Sequence, residues 1–259
     1  MLRLELALMC AVLGLVIGSF LNVVIYRVPR GESIVRPGSH CPRCGAAVRM
    51  RDNIPVVSWL VLGGRCRHCG AGISPRYILV EVLTAALFAA GAVRLGYSAA
   101  LPAALATIAA LVALSAIDLE KLTLPKRVVY PSLALVVVLL AIAAAHDDAW
   151  TRLGVAVLCA VAWFLLFFVI NLASPRVLGF GDVRLSPLLG IFLGWFGWRF
   201  AVVGFFLANL VGAVVGLTLI AAHRMDRSQP VPYGVFLAVG AVGTFLAGPA
   251  FVSWVTGIR

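Results

Sequence analysis

Apolar residues in this chain come in long blocks rather than in alternation with polar ones. The blocks lie at about 4–26, 78–93, 98–117, 128–145, 153–173, 186–198, 200–222 and 234–256, each closed by Pro, Gly or charged residues. Most approach or exceed the roughly 20 residues that carry a helix across a bilayer. The pattern predicts an all-α polytopic membrane protein with about eight transmembrane helices. The segment 186–198 is the shortest and is Gly-rich, so it reads as a tilted or broken helix packed inside the bundle. Gly14/Gly18, Gly190/Gly194 and Gly212/Gly216 have the G-x-x-x-G spacing that lets helix backbones approach closely.

Composition supports the membrane class. Hydrophobic residues make up 63% of the chain and charged residues 12%, with a mean hydropathy of +1.07, far outside the range of soluble domains. The net charge of +11 would suggest nucleic acid in a soluble protein. Here nine of the 21 Lys and Arg lie between Arg27 and Arg76, without interleaved aromatics for base stacking. No nucleic-acid partner is expected, and membrane lipid covers most of the surface. With the N-terminus outside, the inner loops 27–77, 118–127, 174–185 and 223–233 hold sixteen Lys and Arg against five elsewhere. That asymmetry predicts those loops to be cytoplasmic. The first block leads into Gly18-Ser19-Phe20-Leu21-Asn22 without an A-x-A-like cleavage site, and reads as a retained helix. The predicted organisation is a first transmembrane helix over 1–26, a four-cysteine loop over 27–77, and a seven-helix membrane domain over 78–259. No solenoid-type repeat is evident.

Cys41-Pro42-Arg43-Cys44 and Cys66-Arg67-His68-Cys69 are two C-x-x-C knuckles separated by 21 residues, close to the spacing of a structural Cys₄ zinc site. Gly45 and Gly70 follow directly, where the chain must bend away from a tetrahedral ion. Two disulfides are the competing reading, but they rarely persist in a reducing cytoplasm. His40 and His68 stand beside the ligands and could substitute for one. A full Cys₄ shell leaves no open position, so Zn²⁺ here reads as structural. Cys10 and Cys159 fall inside apolar blocks and read as small packing residues.

Only ten Asp and Glu are present. Asp118 ends an apolar stretch, where an ionisable group usually faces a polar cavity or a partner; a solvated helix end is the bland alternative. Asp182 lies in Gly179-Phe180-Gly181-Asp182, whose two glycines permit an unusual backbone and bring the carboxylate close to other segments. A helix cap is its alternative. Both fall on the predicted cytoplasmic face. Two facing carboxylates cannot both ionise easily, so one holds a proton while the other acts as base. Glu81, Glu120 and Asp226 are weaker candidates, and Asp147 and Asp148 read as solvated loop residues. Serine, zinc-protease and NTPase signatures are absent from the sequence. A proton- or cation-coupled transporter with a zinc-stabilised docking loop is the alternative function; it predicts related halves, and none is evident.

Further residues carry a resemblance. Gly18 to Val23 leads to Tyr26-Arg27-Val28-Pro29, then come both knuckles, Asn53-Ile54-Pro55, Arg65-Cys66-Arg67 and Arg76-Tyr77 with Glu81. Ile117-Asp118 with Leu124-Pro125, Gly179-Phe180-Gly181-Asp182 and Pro232-Tyr233-Gly234 with Phe236-Leu237-Ala238 follow. Together they resemble type IV prepilin peptidases, intramembrane aspartic proteases of the GxGD type, over nearly the whole chain. The resemblance implies cleavage of the leader of prepilins and pseudopilins at the cytoplasmic face of a bacterial inner membrane, with Asp118 and Asp182 catalytic. It also implies N-methylation of the new terminal residue using S-adenosylmethionine, for which no Rossmann fingerprint exists and no residue is assigned. Two positions depart from the family pattern: Lys126 stands where an acidic residue is usual, and Arg184 where Lys is usual.

Overall fold

The computed structural model describes residues 2–175, 178–224 and 231–257. Among them the structure is all-helical, with no strand. The chain divides into two compact units, Met1–Tyr97 and Ser98–Arg259.

In the first unit α1 (Leu2–Arg27) packs along α3 (Arg76–Leu95). Between them run 3-10 turns at Val28–Arg30 and Met50–Asn53, the short α2 (Val57–Val61) and the two cysteine knuckles. α1 tightens into the 3-10 turn Val28–Arg30 at Pro29, which has no N–H to carry the α-helical hydrogen bonding on. The two long helices touch through bare backbone. A Cβ on Gly14 would lie 2.6 Å from the Ala85 Cα, and one on Gly18 would lie 2.7 Å from the Glu81 Cα.

The second unit contains α4 (Leu101–Lys121), α5 (Lys126–Asp147), α6 (Trp150–Ala173), α7 (Phe180–Trp195), α8 (Trp198–Ala221) and α9 (Tyr233–Thr256). α4 starts with Pro102 in its first turn, where no backbone donor is lost. It stops at Leu122, whose left-handed φ of 51° lets its N–H cap the Asp118 carbonyl at 2.8 Å. Among the described residues seven helices, α1, α3, α4, α5, α6, α8 and α9, are long and apolar enough to cross a membrane.

The eighth expected span differs. The helix begins at Phe180 rather than 186 and has 16 residues, about 24 Å at 1.5 Å per residue and short of a bilayer core. Twelve of those 16 are buried, because α7 packs against α4, α5, α6, α8 and α9. It is the packed-in helix that its length and glycines suggested. Its glycines bring α6 against it: a Cβ on Gly190 would meet the Ala160 Cα at 2.7 Å, and one on Gly194 the Ala156 Cα at 2.8 Å. The third G-x-x-x-G pair behaves differently. Gly212 faces the Phe236 ring, but Gly216 has nothing within 4 Å. α8 and α9 instead meet at Gly240, whose Cβ would lie 2.6 Å from the Gly204 carbonyl oxygen and from the Ala208 nitrogen.

Overpacking a backbone contact of this kind costs about 1–3 kcal/mol. Gly190→Ala is therefore expected to lower the melting temperature of the detergent-solubilised protein by roughly 2–10 °C, while Gly216→Ala leaves it unchanged or slightly raised. Equal melting temperatures for the two variants would refute the distinction.

Candidate active site and metal centre

Four segments of the second unit converge on two carboxylates. Asp118 comes from the last turn of α4, Leu124 from the connection to α5, Asp182 from the first turn of α7, and Gly234 from the start of α9. Asp118 and Asp182 are both buried, with 5% and 8% of their surface exposed, so Asp118 is not a solvated helix end. The Asp118 carboxylate sits against the backbone N–H groups of Gly234 and Val235. Its Oδ2 is buried without a hydrogen-bond partner. A Cβ on residue 234 would lie 2.9 Å from that oxygen, so only glycine leaves it room.

Asp182 is the third residue of α7, behind an N-cap at Gly179. Its carboxylate reaches back to the N–H of Gly179, the half of a capping box that an acidic N3 residue supplies. Capping and a buried acid are thus the same side chain. Burial first, then the charge of Asp118, push the Asp182 carboxyl up to about 7, against the pull of the Gly179 and Asp182 amides. The two aspartates therefore sense each other electrostatically.

The glycines of this motif act through space rather than unusual backbone. Gly179 has φ −69° and ψ 147°, which any residue can adopt, and Gly181 lies within α7. What they leave is room: a Cβ on Gly181 would meet the Leu124 Cβ at 3.2 Å, and one on Gly179 would meet Asp182 Oδ2 at 3.4 Å. Leu124 also lies 3.1 Å from the Cβ position of residue 234, so one leucine wedges between the segments carrying the two acids. Nothing in the sequence marked Leu124 or Gly234 as neighbours of the acids; their place in the quoted motifs was the available signal.

The other acids separate cleanly. Glu120 is exposed beside Asp118, and Asp147 and Asp148 are exposed at the end of α5 as expected, with Asp147 paired to His146 at 2.6 Å. Asp226 lies outside the described residues. Of the two departures, Lys126 is exposed, while the Arg184 guanidinium stacks over the Phe180 ring at 4.6 Å.

In the first unit the two knuckles are copies of one turn. Cys41 N–H donates to Ala46 O and Gly45 N–H to Cys41 O, each at 2.9 Å; Cys66 to Ala71 and Gly70 to Cys66 repeat this at 2.8 and 2.9 Å. Gly45 and Gly70, where the chain was expected to bend away from an ion, have left-handed φ of 71° and 70°. This local duplication, His40 to Ala47 against Arg65 to Gly72, is legible in the sequence, though it is no solenoid repeat. The four sulfurs lie within 4.8 Å of one another, and Cys41 Sγ to Cys69 Sγ is 3.9 Å. Sulfurs about 2.3 Å from a tetrahedral zinc sit about 3.8 Å apart, so the donor set fits that ion. Backbone N–H groups of Cys44 and Arg43 hold the Cys41 thiol down to about 6, favouring a thiolate there, while Cys44, despite the Ala46 N–H, is pushed up to about 11 by burial and the neighbouring thiols. His40 and His68 are not part of the cluster. Arg27, buried at the end of α1, donates to the carbonyls of Ser33, Pro37 and Gly38 at 2.7–3.0 Å and anchors the loop entering the first knuckle.

Comparison with known proteins divides at the same place as the fold. The family described as the bacterial peptidase A24 N-terminal domain matches residues 12–95, and the type IV leader peptidase family matches residues 105–217. Relatives named prepilin leader peptidase/N-methyltransferase include one from Myxococcus xanthus (strain DK1622), 42% identical over 86% of this chain and 67% of the relative. One from Burkholderia pseudomallei (strain 1026b) is 36% identical over 93% of this chain and 85% of its own length. One from Pseudomonas aeruginosa is 34% identical over 89% and 87%. No solved structure matches the chain. A buried pair of aspartates in a membrane bundle, a duplicated cysteine knuckle and relatives matched along most of their length lead to one conclusion: the chain belongs to the type IV leader peptidase family.

Proposed function

We propose that this multi-pass membrane protein is an aspartic endopeptidase that cuts the leader from type IV prepilins and pseudopilins and N-methylates the residue so exposed. The observation that carries the peptidase half is the burial of Asp118 and Asp182 in one place, with the charge of one raising the proton affinity of the other. Asp182 keeps a proton to about neutral pH and serves as the acid that polarises the scissile carbonyl and then protonates the leaving amine. Asp118 serves as the base that takes the proton of the attacking water. Gly234 keeps the Asp118 oxygen clear for that water, since a side chain there would collide with it.

The charge asymmetry of the loops orients the site toward the cytoplasm of a bacterium, with the N-terminus outside the inner membrane. In this reading residues 1–26 form the first transmembrane helix, 27–77 the four-cysteine loop and 78–259 the peptidase membrane domain. The loop holds zinc through Cys41, Cys44, Cys66 and Cys69, and the ion's role is to close a segment too small to fold on its own apolar core. The relatives are named N-methyltransferases as well as peptidases. S-adenosylmethionine supplies the methyl group in such a reaction. The transporter alternative has no support among the relatives.

Asp118→Asn and Asp182→Asn are each expected to cut prepilin cleavage in membranes by at least roughly 10³-fold, in line with losing an essential acid or base, with the protein still inserted. Cleavage by either variant within ten-fold of wild type would sink the paired mechanism. Freshly purified wild type should carry about one zinc per chain by elemental analysis, and a variant with all four knuckle cysteines changed to Ser should carry none. A metal-free wild type would remove zinc from the account.

A further inference from the structure

Tyr233 opens α9 and stands just before Gly234, whose N–H is turned on Asp118. Its own phenol lies within reach of the charge of Asp182. The start of α9 therefore borders both acids, the first through its backbone and the second through a side chain that the paired-acid chemistry does not use.

The phenol is fixed in place and in direction. Its ring leans on Phe167 of α6, with centroids 6.5 Å apart. Phe167 in turn meets the Phe205 ring of α8 edge-on at 6.1 Å and stacks on Trp163 at 5.7 Å. The Tyr233 hydroxyl donates to Asn209 Oδ1 at 3.1 Å. Asn209 holds that oxygen in place, because its Nδ2 donates to the Phe205 carbonyl at 2.8 Å and a turned amide would lose both bonds. The single phenolic proton is thus committed to α8. What the phenol oxygen presents to an approaching group is a lone pair, not a donor.

Asn209 is conspicuous on its own helix. It is exposed near the middle of α8, beside Phe206 and Leu210, which are exposed as well. A polar side chain at such a place on an apolar, membrane-length helix is costly and usually serves a partner or a pathway. Its partner is the Tyr233 hydroxyl, and Tyr233 is only half-buried. The pair therefore leaves an oriented acceptor at the accessible edge of a site whose two acids are enclosed. A substrate helix in a membrane satisfies its own N–H groups. Opening one of its peptide bonds to attack between two acids breaks that helix locally, and each N–H so freed costs about 1–3 kcal/mol unless it finds an acceptor. Gly234 and Val235 bring only donors, which face Asp118; Tyr233 brings the acceptor.

We propose that Tyr233, oriented by Asn209, positions the substrate for cleavage, its phenol oxygen accepting a backbone N–H of the prepilin beside the scissile bond. The assignment rests on the peptidase half of the proposed function and adds a substrate contact to it.

The test pairs the full-length protein in detergent micelles with backbone-edited substrates. Synthetic prepilin N-terminal peptides, each with one amide flanking the scissile bond replaced by an ester, lack a single N–H and keep every side chain. Wild type and Tyr233→Phe are assayed for leader cleavage on the all-amide peptide and on each ester peptide. The variant keeps the ring against Phe167, so its melting temperature should match wild type. On the all-amide peptide its kcat/KM should fall by roughly ten-fold, the cost of one N–H left unpaired. On one of the ester peptides it should fall by less than about two-fold relative to wild type, because the N–H it would have met is already gone, and the two losses do not add. A loss of the same size on every peptide would overturn the contact. If that uniform loss came with a shift in the pH at which cleavage fails, Tyr233 would be acting through Asp182 instead, and the contact would be overturned too. Wild-type kcat/KM in Tyr233→Phe would also overturn it, leaving the peptidase reading standing. A wild type that cleaves no prepilin would overturn both.

Discussion

A carboxyl group that must keep its proton near neutral pH has to be taken out of water, yet in a membrane bundle it cannot be handed to lipid either. The second unit solves this by enclosing its two acids in protein. α7 is too short to cross a bilayer and carries Asp182 in its first turn, so it is surrounded by five other helices. That enclosure depends on backbone touching backbone. Gly190 and Gly194 let α6 close on α7, and Gly240 lets α8 close on α9. A methyl group at these contacts would push apart the helices that hold the acids.

The same economy of space operates at the site. Gly181 and Gly234 make room for one side chain, Leu124, which reaches both. Leu124 is placed by the left-handed turn at Leu122, which ends α4 just past Asp118. The helix end that positions the first acid thus also positions the wedge against the second. The backbone turn at Leu122 therefore sets the spacing between the first acid and that wedge.

Much of this was legible in the chain itself. The apolar blocks located the long helices to within about four residues, though α7 starts six residues ahead of its block, and the bends expected at the knuckle glycines are left-handed turns at Gly45 and Gly70. Less legible were contacts between segments far apart in sequence. G-x-x-x-G spacing picked out Gly14, Gly18, Gly190 and Gly194 but also Gly216, which touches nothing, and it missed Gly204 with Gly240. Spacing along one helix reports a small-residue face; whether another backbone arrives there is a property of the bundle. The GxGD glycines were expected to bend the chain and instead clear space, which φ and ψ reveal and residue type does not. Asn22 and Arg27 gave no hint of their buried roles, because their partners are carbonyl groups that any sequence carries.

The paired site is tested most directly by the pH dependence of leader cleavage by the purified protein. If Asp182 supplies the acid, with its carboxyl held up to about 7 by burial and by Asp118, kcat/KM falls as pH rises through neutrality and that proton is lost. A rate that keeps climbing to pH 9 would contradict it, since a pair sharing one proton has none left to donate there.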